Sequence, residues 1–237
     1  MKMLVSLMSV TAILLVALAG PLYKFGVVEL GTAFTGFKFG LFAGIAALVL
    51  LAIQLLFKRN TASIGSALAS AVLAVAAIAV PLSMMNTAKN VPPIHDISTD
   101  LVNPPEFVAT APLRADASNP VEYAGAEVAE QQRIAYPDLQ TLTYAQSKSE
   151  LIKAAQQAME NLGWELVNTD ADKGIIEATE TTAWFGFKDD VIIRVTDNDS
   201  ERLVDVRSKS RIGQSDLGKN AARIHKLIDE LNSVLAK

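Results

Sequence analysis

The sequence predicts a membrane α-helical anchor of three spans followed by a soluble α+β domain, in which an antiparallel four-stranded meander carries two helices on one face. Three observations predict this class. Long apolar stretches at about 3–22, 39–57 and 63–85 fill the first third of the 237 residues, and none contains an ionised side chain. The last ninety or so residues order themselves as a helical pattern, strand-like runs and a second helical pattern. Charge divides along the same line: residues 1–89 hold six basic residues against one acidic, whereas 90–237 hold 15 against 24, a balance of −9.

Each apolar stretch approaches the ~20 residues with which a helix crosses a ~30 Å hydrocarbon core. Lys58 and Arg59, with Asn60 and Thr61, form a very short turn between the second and third stretches, and Lys2 precedes the first. The positive-inside rule then places the N-terminus in the cytoplasm and the C-terminal domain outside, although Lys24, Lys38 and Lys89 fall on the outer side. The first stretch has a second reading as a secretory signal, because Ala17-Leu18-Ala19 before Gly20 has the small-x-small form of a cleavage site. Either reading leaves the domain outside.

Gly36, Gly40 and Gly44 recur every four residues along the second stretch, and Gly65-x-x-x-Ala69 with Ser66-x-x-x-Ser70 mark the third. Rows of small residues let helices approach closely, either within one chain or between copies in an oligomer. Gln54 is strongly polar within a span, and no ionisable pathway for transport accompanies it.

Residues 90–146 read as a Pro-rich connector. Pro92-Pro93, Pro104-Pro105, Pro112, Pro120 and Pro137 prevent long helices, leaving a short strand at 94–97 and a helical stretch around 121–132. The domain proper covers 147–237. Leu151, Ala155, Ala158 and Leu162 have helical spacing behind Ser147 and Glu150, which form a capping box, and Gly163 ends the helix. Strand-like runs follow at about 164–169, 174–185, 190–196 and 202–211, joined by connections short enough to require antiparallel neighbours. The last helix, about 216–235, carries Leu217, Ala221, Ile224, Ile228, Leu231 and Leu235 on one stripe. In the fourth run Val204 and Val206 alternate with Asp205, Arg207, Lys209 and Arg211, giving one apolar and one polar face.

Composition excludes several chemistries. With no cysteine there is no disulfide, thiolate nucleophile or thiolate metal site. The acidic domain lacks the basic stripe that nucleic-acid binding requires. No cofactor is implied, and no metal set stands out.

Three segments carry a family resemblance: 93–100 (Pro-Ile-His-Asp-Ile-Ser-Thr-Asp), 185–191 (Phe-Gly-Phe-Lys-Asp-Asp-Val) and above all 206–220, Val-Arg-Ser-Lys-Ser-Arg-Ile-Gly-Gln-Ser-Asp-Leu-Gly-Lys-Asn. Over about residues 90–235 the chain resembles the domain-of-unknown-function family numbered 1499. The resemblance implies a bacterial envelope location behind membrane spans, hence the cytoplasmic membrane with a periplasmic domain. It implies no catalytic residue.

Four groups are candidate sites. Arg207, Lys209 and Arg211, followed by the Gly213-Gln214-Ser215 turn into the last helix, form an anion site if their charges are free, or an internal network if they pair with neighbouring carboxylates while Ser215 caps the helix. Trp184, Phe185 and Phe187 crowd one hairpin end, as an aromatic surface for the membrane interface, a lipid or a partner, or as a packed cluster. His95 with Asp96 and Asp100 supplies a general base if these groups converge, and His225 is the only other histidine. Asp189-Asp190 and the Asp197, Asp199, Glu201 alternation suit hairpin turns better than acid–base or calcium chemistry. Taken together, the sequence favours an envelope protein that binds or assembles with an envelope protein or lipid over a hydrolase built on His95, or over a purely structural scaffold.

Overall fold

In the computed structural model, which describes residues 1–57 and 63–236, the apolar segments form four helices: α1 (Lys2–Ala17), α2 (Ala19–Lys24), α3 (Leu30–Phe57) and α4 (Ile64–Asn90). The Lys58–Thr61 turn and Lys237 lie outside the described residues. Among those residues two helices, α3 and α4, are long and apolar enough to cross a membrane, with mean hydropathies of 2.5 and 2.2. The first stretch differs from expectation, being divided at Leu18. Pro21 causes this: it has no N–H to give the carbonyl four residues earlier, that of Ala17.

The helices belong to one of two compact units, formed by Met1–Lys89 with Ala183–Gly186; the other comprises Asn90–Thr182 and Phe187–Lys237. In the first unit the indole Nε1 of Trp184 donates to the Ala17 carbonyl at 3.0 Å, replacing the bond that Pro21 cannot make. Phe185 is buried, and its ring stacks at 5.8 Å from that of Phe34. Two glycines of the row, Gly40 and Gly44, face helices of the same chain closely. A Cβ on Gly40 would stand 2.6 Å from Val16 of α1, and one on Gly44 would stand 3.0 Å from the Ala74 carbonyl of α4. Large apolar side chains remain exposed along α1, α3 and α4, including Leu7, Phe39, Phe42, Leu68 and Val72.

The second unit is a six-stranded antiparallel sheet, where the sequence predicts four strands. Its strands are β1 (Asp96–Ser98), β2 (Leu142–Tyr144), β3 (Glu165–Asp170), β4 (Ile175–Thr181), β5 (Lys188–Asn198) and β6 (Glu201–Ser210). The order is β1-β6-β5-β4-β3, and β2 lies in line with β1 on the same edge of β6. Both extra strands come from the Pro-rich segment and have three residues each; β1 overlaps the short strand expected at 94–97, whereas β2 is too short to show a period. β4 stops at Thr181, short of the expected Phe185, because the Thr182 N–H donates to the Phe187 carbonyl and closes a turn there.

One sheet face is apolar. Ile97, Ile176, Val191, Ile193, Val204 and Val206 pack beneath α6 (Lys148–Asn161) and α7 (Lys219–Leu235), which contribute Leu151, Ala155, Met159, Ile224, Leu227 and Leu231. Burying each such Ile, Leu or Val contributes roughly 1.5–3 kcal/mol. α6 opens with the expected capping box between Ser147 and Glu150. α7 begins at Lys219, later than expected, because Gly218 takes φ +78° and Asp216 accepts from the Gly218 and Asn220 N–H groups at 2.7 Å each. The opposite face is polar in sequence yet equally buried. Segment 99–124, which includes a single 3₁₀ turn (Ala111–Arg114), leads from β1 to α5 (Ala126–Ala135) and makes its bonds to that face.

Candidate functional site

Alternation along β4, β5 and β6 brings Glu177, Asp190, Arg207 and Lys209 to the polar face, with Asp96 beside them from β1. Charges of both signs are thus interleaved at strand spacing, and each is met. Asp96 accepts two bonds from the Arg207 guanidinium at 2.9 Å each and one from Lys209 Nζ at 2.8 Å. Arg207 also donates to the Pro105 and Val121 carbonyls and lies 4.8 Å from the Phe107 ring centroid. Asp190 accepts from Arg114 at 2.6 Å, from Arg211 at 2.8 Å and from Thr179 at 2.7 Å. Glu177 accepts from the successive N–H groups of Val108, Ala109 and Thr110 and from the Thr110 hydroxyl. An anion-binding nest is thereby filled by the chain's own carboxylate. Burial pushes the Lys209 pKa down, opposed by Asp96, and pushes the Tyr123 hydroxyl up to about 12, helped by Asp96.

The residues of the expected anion site therefore separate into two buried pairings. Arg207 and Lys209 turn to Asp96, Arg211 turns to Asp190, and Ser215 accepts from the Leu217 N–H at 3.2 Å. Of the aromatic group, Trp184 and Phe185 belong to the first unit and Phe187 to the second. His95, Asp96 and Asp100 diverge. The His95 ring lies 3.4 Å from the Gln214 carbonyl, Asp96 faces Arg207, and Asp100 pairs with Arg194 at 2.9 Å. His225 pairs with Asp138 at 3.3 Å. Asp189 and Asp190 point to opposite faces, Asp189 meeting Arg223 on the helix side. Asp197 pairs with Arg202. Among the described residues no three His, Asp or Glu side chains gather as a metal set.

Sequence reasoning missed the cleft that opens where β1 leaves the edge of β6 and β2 joins it. Thr99 holds this gap, its N–H donating to the Val206 carbonyl and its hydroxyl accepting from the Val206 N–H. The cleft has a volume of about 410 Å³ and is bounded by residues 99–102 on one segment and by Arg133, Tyr136, Pro137 and residues 139–141 on the other. Its lining is mixed: Leu101, Val102, Tyr136, Pro137 and Leu139 on the apolar side, and Thr99, Asp100, Arg133, Gln140 and Thr141 on the polar side. Burial raises the Asp100 pKa, but the Asn103 and Val102 N–H groups and Arg194 outweigh it and hold the carboxyl below its ordinary value. Behind the wall, the Tyr136 hydroxyl is buried without a hydrogen-bond partner among the described residues, near Gly218, where a Cβ would come within 3.3 Å of it. Val102, in the cleft lining, and Ile134, on α5, are the most exposed large apolar residues of the second unit among those described, at 96% and 75%. The volume of the cleft falls in the usual ligand range of ~300–1,000 Å³, with a lining of mixed character.

The family model described as "Protein of unknown function (DUF1499)" matches residues 96–231. No curated protein matches the chain.

Proposed function

The chain belongs to the DUF1499 family of proteins of unknown function, and from that premise we propose that it is a membrane-tethered recognition module whose cleft beside β6 takes a ligand. One observation carries the reading: the second unit has a cleft of ligand size with Leu101, Val102, Tyr136 and Pro137 in its lining, whereas the charges of the polar sheet face are consumed by one another. General acid–base work on His95 lacks convergent partners, since Asp96 and Asp100 are engaged elsewhere.

The tether in this reading is a three-span anchor in the bacterial cytoplasmic membrane, with the α1–α2 segment as its first span and the sheet domain in the periplasm. The paired charges Lys58 and Arg59 support that orientation. Retention of the first segment is supported by its packing: Val16 and Ala12 leave no room for a side chain on Gly40, and Trp184 occupies the Ala17 carbonyl at the candidate cleavage site. A reporter fused at Lys237 should be active only in its extracytoplasmic form, and cytoplasmic activity would overturn the orientation. A photo-crosslinking residue at Gln140, in the cleft, should give a discrete adduct in intact cells that the same residue at Gln157 on α6 does not. Equal labelling from both positions would overturn recognition at the cleft.

A further inference from the structure

We propose that a groove in the helical unit is a lipid site, holding one acyl chain of a zwitterionic phospholipid in the leaflet on the side of the α2–α3 turn. This presupposes that the helices lie in a membrane, as above, and is independent of the cleft. The groove has a volume of about 300 Å³ and runs between α1–α2, from Thr11 to Leu22, and the entry and first turns of α3, from Val28 to Gly36. It originates in the row of glycines. At Gly40 α1 is so close that a Cβ would stand 2.6 Å from Val16, whereas one turn earlier, at Gly36, the nearest atom to such a Cβ is the Leu15 carbonyl oxygen at 3.7 Å. α1 and α3 therefore touch at Gly40 and leave a space beyond it, where Ala33 and Gly36 have no side chain large enough to fill it.

Chemistry and dimensions select the occupant. Leu14, Leu18 and Leu22 line the groove at four-residue spacing, and their stripe continues past the helix division because the Leu18 N–H donates to the Leu14 carbonyl and the Leu22 N–H to the Leu18 carbonyl, at 2.9 Å each. All three leucines are also exposed, so the groove opens onto the apolar outer surface of the same helices. Only Thr11 and Thr32 bring side-chain polar atoms to the lining, which offers little to water, and an empty apolar groove forfeits its dispersion contacts. From Thr11 to Leu22 the helix rises roughly 16 Å, about half of a ~30 Å hydrocarbon core and so the depth of one leaflet. An extended acyl chain fits that length, whereas a helix of a second copy, ~10–12 Å across, would lie over the groove and not in it. The turn at the Leu22 end carries one exposed charge of each sign, Lys24 at the close of α2 and Glu29 before α3. Lys24 Nζ, with three N–H groups, uses one on the Ala183 carbonyl at 3.1 Å. A headgroup that joins a phosphate to an ammonium is the complement of that pair of charges.

The test uses the full chain in phosphatidylcholine nanodiscs that contain a small fraction of phosphatidylcholine with a diazirine in one acyl chain, the crosslinks being located by peptide mass spectrometry. Residues 11–22 and 28–36 should be labelled severalfold more than residues 68–72 of α4, where the exposed Leu68 and Val72 report ordinary bilayer contact. Gly36→Leu, and separately Thr32→Phe from the α3 wall, should each lower the groove signal severalfold and leave that of 68–72 unchanged. Groove labelling no greater than that of 68–72, or indifferent to both substitutions, would overturn the site; labelling below that of 68–72 would mean that a second copy covers it and would overturn it equally. A phosphatidylglycerol probe of the same chain length should label the groove severalfold less, and equal labelling would overturn the zwitterionic assignment. The membrane reading fails separately, by absence of labelling at 68–72 or by loss of the residues before Gly20 from the intact mass. A full-length chain labelled at 68–72 and not in the groove fails the lipid site alone.

Discussion

On the helix-bearing face of the sheet, Ile176, Val191, Ile193, Val204 and Val206 meet the apolar stripes of α6 and α7, whereas on the other face Glu177, Asp190, Asp96, Arg207 and Lys209 are buried by the irregular segment 99–124. The first face is closed by area: its energy is non-directional and tolerates exchange among residues of similar volume. The second is closed by pairing. Each buried ion costs several kcal/mol in lost hydration unless a partner is correctly placed, so the face stays interior only while 99–124 supplies Arg114, the Val108–Thr110 N–H groups and the Pro105, Val121 and Glu122 carbonyls. A segment with little secondary structure of its own is thereby fixed in one register. The pairing that fixes it also removes Arg207, Lys209 and Arg211 from service as ligand groups.

Substitutions that break the comparison should separate the two faces by size of effect. Asp190→Ala leaves the Arg114 and Arg211 guanidiniums without their shared carboxylate, and we expect a loss of about 3–5 kcal/mol in chemical unfolding. Glu177→Gln keeps the shape but turns an amide N–H₂ toward donors, for an expected loss of about 1–3 kcal/mol by the same measurement. Ile193→Val removes one methylene from the apolar face and should cost only about 0.5–1.5 kcal/mol, so a larger loss there than for Asp190→Ala would reverse the comparison.

The smallest expected effect is on pH dependence, and its sign differs between two carboxylates. Asp100 has a lowered folded-state pKa, so its contribution is complete above the ordinary carboxylate range and is lost as pH falls through the folded value. Asp100→Asn should therefore be less stable than the parent at neutral pH, with the gap closing on acidification. Asp216 is raised, chiefly by burial, so its contribution is present in acid and is lost as pH rises from the ordinary range through the folded value. Asp216→Asn should lose less stability than the parent over that rise. Unfolding midpoints measured across the acid range check both.

Much of the apolar face was legible in the sequence. The capping box at Ser147 and Glu150, the stripe of α7 and the alternation of Val204 and Val206 are local signals of fixed period. The same alternation put Asp205, Arg207 and Lys209 on one face, but a period reports which residues share a face and not what covers it. The partners lie far off in sequence and in a Pro-rich stretch without pattern: Asp96 is 111 residues from Arg207, and Arg114 is 76 from Asp190. The cleft was illegible for a related reason. It is a gap between two strands of three residues each, created by where they attach to β6.

The most direct measurement is hydrogen–deuterium exchange of the full chain with and without Asp96→Ala, which removes the shared partner of Arg207 and Lys209. If ion pairing holds 99–124 on the sheet, exchange at Val108, Ala109 and Thr110 should accelerate by about a hundredfold or more, as expected for a loss near 3 kcal/mol, while the α6 amides keep their protection. Unchanged exchange across 99–124 would show that the segment is held by something other than its buried charges.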